Sequence, residues 1–260
     1  MKNHFFMSVW GNKRTEVEEI YKHLDFDNIK YIIEPFCGSS ALSYYISTQQ
    51  PKKYIYVLND IDKNLIKLYK IAQDEIKYNF FICMYELLWR ACKDNNKPKY
   101  IELINNNDII CWFLKNKFYT IRSGLYPING SLRNIQSIKD LYNKPIINFL
   151  RNEKIIFYNE DAYNLIMKYN KSNCLFFCDP PYLLTNNSEY NSGSLETKNF
   201  NIYQELLFNK EQFKTNLYFV LEYMWIIKGL YNDNLIHKYK KKYTGNKKKI
   251  VYHCILKFTF

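Results

Sequence analysis

The most constraining feature of this chain is a recurring pair: a short unbroken apolar run, then an acid. Run 30–33 ends at Glu34-Pro35, run 54–58 at Asn59-Asp60, run 155–158 at Glu160-Asp161, and run 174–178 at Asp179-Pro180-Pro181-Tyr182. A fifth run covers 217–221. Short continuous apolar runs separated by helical segments read as parallel strands buried on both faces. The pattern predicts a doubly wound α/β sheet. Helices are expected from Ala41 and over about 63–78. Segments 235–243 and 250–258 are expected to pair as a hairpin through Thr244-Gly245-Asn246.

Between residues 76 and 152 the strand–helix rhythm breaks, which predicts an inserted subdomain of mixed helical and irregular sequence. Residues 1–75 and 153–260 would then form the main domain. The polar stretch 185–201 reads as a loop.

Composition sets limits on this picture. Apolar residues make up 47% and aromatics 18%, which excludes a disordered chain. No run reaches the ~18 apolar residues of a membrane span. The start, Met1-Lys2-Asn3-His4-Phe5-Phe6, lacks the apolar core and cleavage site of an export signal. Seven cysteines with no Cys-x-x-Cys pair indicate neither a disulfide framework nor a zinc site, so an intracellular, reducing setting and no metal are expected. The net charge of +12 favours a polyanionic partner such as nucleic acid.

In an open parallel sheet, ligands bind outside the carboxyl ends of the strands. Glu34, Asp60, Asp161 and Asp179 would therefore face one crevice, suited to a ligand rich in hydroxyls and amines. Gly38 opens the turn after the first strand, where a missing side chain lets backbone approach a ligand. Asp60 follows 22 residues later, the spacing at which an acid accepts from ribose hydroxyls. The turn lacks the three-glycine phosphate fingerprint, so a nucleoside without pyrophosphate fits better than a dinucleotide; S-adenosylmethionine is such a ligand.

The sharpest signal is Asp179-Pro180-Pro181-Tyr182. The prolines donate no N–H and fix the backbone, so Asp179 and the Pro180 carbonyl can both accept from one amine. Tyr182 offers a face for stacking a planar base. An exocyclic amine conjugated to a purine ring is a poor nucleophile. Two acceptors on its protons stabilise the charge that develops as a methyl group arrives.

With Gly11-Asn12-Lys13, Glu34 to Ala41, Asn59-Asp60, Glu160-Asp161 and Asp179 to Tyr182 in this order, the chain resembles the Dam-type (alpha-group) adenine-specific DNA methyltransferases. The resemblance spans most of the chain. It implies a Rossmann-like class I methyltransferase fold, S-adenosylmethionine as methyl donor, and adenine in double-stranded DNA, flipped out of the stack, as acceptor. Lys13 would hold the methionine carboxylate. Trp10, Glu34, Phe36 and Gly38 would line the cofactor pocket, and Asp60 would hold the ribose. Asp161 would hold the cofactor's adenine amine, and Asp179, beside the cofactor, the target amine together with Pro180, Pro181 and Tyr182. Two positions depart from the family. Ser40 replaces a turn glycine, and its place before Ala41 suggests a helix cap. Trp10 is displaced by one position from the family's aromatic.

Base flipping needs phosphate contacts elsewhere. The lysine-rich hairpin, with Lys240, Lys241, Lys247 and Lys248, is the candidate. Arg122, Tyr126, Asn129 and Arg133 in the insertion are candidates for reading base edges. A restriction endonuclease is a further candidate partner. The alternatives are an RNA or other amino-methyltransferase and a DNA-binding relative without catalysis. Relatives that methylate glutamine carry Asn at the position of Asp179, which speaks against a protein substrate.

Overall fold

The computed structural model describes residues 13–118, 145–180, 213–242 and 250–258. They fall into two compact units, one built from 13–61 and 154–260 and the other containing 62–153.

The first unit carries a sheet whose strands are β1 (Tyr31–Glu34), β2 (Ile55–Asn59), β3 (Lys154–Tyr158), β4 (Cys174–Cys178), β5 (Asn216–Glu222), β6 (Leu235–Lys242) and β7 (Ile250–Phe258). Their order is β3-β2-β1-β4-β5-β7-β6. β1 to β5 pair in parallel, and β7 pairs antiparallel with both β5 and β6. The unbroken apolar runs have their physical reason in β1, β2 and β4: Ile32, Ile33, Tyr56, Val57, Phe176 and Cys178 are all fully buried. Helices α1 (Val17–Tyr21), α2 (Ala41–Gln49), α8 (Ala162–Lys168) and α9 (Trp225–Tyr231) belong to the same unit. Leu165 and Ile166 of α8 join Ile33, Val57, Phe176, Phe213 and Leu217 in the core. Each such side chain contributes about 1.5–3 kcal/mol on burial.

Strand β1 lies between β2 and β4, so the chain leaves it in one direction along the sheet and returns on its other side. That reversal makes the carboxyl ends of β1 and β4 the place where ligands bind.

The second unit is helical in its described part: α3 (Lys63–Gln73), α4 (Glu75–Lys93), α5 (Lys97–Asn105), α6 (Asp108–Phe118) and α7 (Pro145–Asn152). The single helix expected over 63–78 is in fact two. Asp74 has an extended backbone, closes α3, and caps α4 by accepting from Lys77 N at 3.1 Å. The unit takes in the whole stretch 62–153. Asp62 caps α3 by accepting from Asn64 N, and its other oxygen accepts from the Trp112 indole, which ties α3 to α6. Phe81 and Tyr85 of α4 pack edge-on against Phe113 of α6. The loop expected over 185–201 and the hairpin turn 244–246 lie outside the described residues.

Candidate active site

The ends of the first three strands are tied together by one buried side chain. Asn59 donates to the carbonyls of Pro35 (2.9 Å) and Glu160 (3.0 Å), and its oxygen accepts from Glu160 N (3.0 Å). Cys37 N in turn donates to the Asn59 carbonyl. The turn after β1 is thereby fixed against β2 and β3. Gly38 in that turn has φ 45°, a left-handed conformation that favours glycine. Its N–H donates to Asp60 Oδ2 at 3.0 Å.

Ser40 also stands at positive φ, 52°, and makes no capping bond to α2. The expected cap is overturned for a visible reason. The N–H that a capping serine would satisfy, that of Ser43, already donates to Glu34 Oε1 at 2.8 Å. The buried Ser40 hydroxyl caps no helix N–H and lies close enough to the Cys37 thiol to pull its pKa down against burial.

Glu34 is fully buried at the end of β1. Burial pushes its carboxyl up to about 7, against the pull of its Ser43 contacts and with a further push from Asp179. Asp179, just past β4, has 18% of its side chain exposed. Burial raises its carboxyl too, and the ammonium of Lys13 opposes that rise. Lys13, 4% exposed, places Nζ 2.5 Å from both carboxylate oxygens. The residue expected to hold a cofactor carboxylate and the residue expected to accept the target amine thus hold each other.

Behind Lys13 lies a second buried acid that sequence reasoning missed. Glu16 accepts from Tyr239 OH (2.7 Å), lies 2.7 Å from His253 Nδ1, and pairs with Lys241 Nζ (2.5 Å). Burial alone would raise its carboxyl, but the His253 contact and the charges of Lys13 and Lys241 hold it down at about 2. Burial and Glu16 together push the Tyr239 hydroxyl well above the usual range. The signal was present in the sequence. Along β6, residues 237, 239 and 241 alternate with 238 and 240, so His237, Tyr239 and Lys241 share one face. Lys241, expected on DNA phosphates, is therefore turned inward at 9% exposed, whereas Lys240 faces solvent.

The remaining candidates separate into three groups. Asp161 is exposed and caps α8 through Oδ1, accepting from Tyr163 N and Asn164 N. Phe36 is half-buried in the turn after β1, and Pro180 is buried beside Asp179. Trp10, Pro181, Tyr182, Arg122, Tyr126, Asn129, Arg133, Lys247 and Lys248 lie outside the described residues. All seven cysteines are unpaired, and among the described residues no helix is long and apolar enough to cross a membrane.

Residues 10–245 match the family described as D12 class N6 adenine-specific DNA methyltransferase. The chain is also similar to the type II methyltransferase M.MjaIII of Methanocaldococcus jannaschii, 24% identical over 234 residues, covering 78% of this chain and 74% of that protein. Among solved structures, the N-terminal domain of human METTL16 in complex with SAH covers 94% of this chain and 68% of its own, at 9% identity and a TM-score of 0.34. A human methyltransferase 10 domain containing protein covers 96% and 81%, at 10% identity and a TM-score of 0.37. Both scores are low, and the fold rests on the strand order described above.

Proposed function

This chain belongs to the D12 class N6 adenine-specific DNA methyltransferases, and from that premise we propose how its own residues transfer a methyl group to the 6-amine of adenine in duplex DNA. The methyl donor is S-adenosylmethionine, which when bound supplies an electrophilic methyl group on a sulfonium. The residues at the crevice fit such a ligand. Lys13 is a buried cation suited to a carboxylate, Asp60 is a half-buried acid suited to ribose hydroxyls, and Gly38 lies beside it with its N–H donated to Asp60 Oδ2. Glu34, Phe36, Asp161 and Trp10 complete the proposed cofactor pocket.

The observation that carries the proposal is the Lys13–Asp179 contact. Asp179 already binds a nitrogen that bears several N–H donors, with 2.5 Å to each oxygen. The adenine amine would take that place, donating to Asp179 and to the Pro180 carbonyl while Tyr182 stacks on the ring. As the amine nitrogen takes the methyl group and the methyl–sulfur bond breaks to leave a neutral thioether, the nitrogen would become positive, and these acceptors would stabilise that charge until one proton passes to solvent. The amine is buried inside a duplex, so the base must be extruded at a cost of a few kcal/mol. Lys240, Lys247 and Lys248 are proposed to offset this through phosphates, and residues 76–152, with Arg122, Tyr126, Asn129 and Arg133, to read the sequence. Similarity to a type II methyltransferase supports a cognate endonuclease as partner.

The test is transfer of a labelled methyl group to duplex DNA, structured RNA and protein, with Asp179→Ala and Asp179→Asn alongside the wild type. Labelling of adenine in duplex DNA, reduced more than about tenfold in both variants, is the expected result. Either variant keeping more than a tenth of wild-type turnover would remove Asp179 from the reaction. Preference for RNA would overturn the substrate.

A further inference from the structure

Two of the chain's four histidines converge with a carboxylate away from Asp179. Glu19 lies on α1, His23 follows that helix four residues later, and His237 comes from the inward face of β6. His237 Nε2 is 2.8 Å and His23 Nε2 3.8 Å from the same oxygen, Glu19 Oε1. The two imidazoles stack with centroids 4.1 Å apart at 21°, and the three donor atoms lie within 4.8 Å of one another.

His237 Nε2 has no exposed surface and pairs with Glu19 Oε1 at 2.8 Å, and His23 approaches the same oxygen, so one carboxylate oxygen faces two imidazoles. Lys22 holds the other carboxylate oxygen at 3.1 Å, leaving Oε1 on the side of the imidazoles. Zinc bonds of about 2.0–2.2 Å to nitrogen and oxygen set tetrahedral ligand atoms roughly 3.3–3.6 Å apart, between the two contacts observed.

We propose that Glu19, His23 and His237 form a three-ligand site for a divalent transition ion, Zn2+ by its ligand set, with water as fourth ligand. The cysteine spacings gave no hint of it, because the ligands are histidine and glutamate from a helix and a distant strand. The ion would bridge α1, which Glu16 immediately precedes, to β6, which carries Tyr239 and Lys241. It would therefore stiffen the seat of Lys13 without taking part in chemistry, and it does not rest on the catalytic reading.

The full chain, stripped with a chelator, is titrated with Zn2+ by calorimetry and with Co2+ by absorption, and melted with and without Zn2+. One ion per chain is expected, with tetrahedral Co2+ bands, no thiolate charge-transfer band and a raised Tm. Even outer-shell partners of a metal ligand are worth about 10–100-fold in affinity, so His237→Ala and Glu19→Gln should each lose about 100-fold or more. Cys83→Ser, at an exposed thiol, should lose nothing. Should His237→Ala fail to fold, His23→Gln, at a half-exposed position, serves in its place. A thiolate band, unchanged affinity in the folded ligand variants, or no saturable binding by the wild type would overturn the proposal.

Discussion

Glu34 offers a quantitative check on the electrostatics of the site. It is fully buried, its Oε1 accepts from Ser43 N, and its carboxyl is pushed from 4.5 to about 7. Below about pH 4.5 the acid is protonated in both the folded and unfolded chain, so it imposes no charge penalty. As pH rises toward 7 the unfolded chain ionises while the folded one holds its proton, and stability is lost through that window. At about 1.4 kcal/mol per pH step, the loss reaches roughly 3 kcal/mol. Glu34→Gln keeps the oxygen for Ser43 N–H and cannot ionise. The variant should match the wild type near pH 4.5 and exceed it near pH 8 by up to roughly 3 kcal/mol, less whatever its new N–H2 loses without a partner. Urea unfolding of both proteins across this range measures the difference. A difference that stays flat with pH would refute the reasoning, whatever its size, because only a titrating buried carboxyl produces the slope.

Glu16→Gln should show the opposite sign. Its carboxyl is held down at about 2, so the stability it contributes is present above about pH 4.5 and lost as pH falls toward 2, and the variant should lie roughly 3 kcal/mol below wild type at neutral pH and converge with it in acid. Ser40→Gly should stabilise rather than weaken the chain, by about 1 kcal/mol, since serine at φ 52° is strained and its hydroxyl caps nothing; a lower Tm for glycine would restore the capping account. Lys240→Gln should reduce the slope of log DNA affinity against log salt by about 0.9, with Lys247 and Lys248 acting likewise, whereas Lys241→Gln should cost stability and leave that slope alone. Equal salt effects at Lys240 and Lys241 would mean that β6 does not present them to opposite faces.

What the sequence made legible follows from range. Strands β1, β2, β4 and β5 were readable because burial on both faces leaves an unbroken apolar run, and the acids after β1, β2, β3 and β4 pointed to the crevice. The break at Asp74 was hidden because the apolar spacing continues on either side of it, and only the capping geometry shows that the aspartate closes one helix and opens the next. Ser40 looked like a cap from its neighbours alone, while the actual acceptor, Glu34, comes from the preceding strand. Lys241 sits in a basic run that suggests solvent, and the two-residue period of β6 was the signal that it points inward.

The deepest omission was Glu16, and its place explains how one lysine can serve two roles in the proposed reaction. For the target amine to reach Asp179, Lys13 must give up a contact of 2.5 Å to both oxygens. A buried ammonium deprived of its partner costs about 3–5 kcal/mol, enough to close the site to a base that has already been unstacked. Glu16 removes much of that obstacle: its charge acts on Lys13 as well as on Lys241, and at about 2 it stays ionised wherever the enzyme works. Lys13 thus acts on two acids, Asp179 by direct contact and Glu16 through its charge. If Lys13 holds the cofactor's carboxylate as proposed, that anion would compete with Asp179 for the same ammonium. On the proposed roles, cofactor before base is the expected order, because a carboxylate that took up the Lys13 ammonium would release Asp179 for the amine.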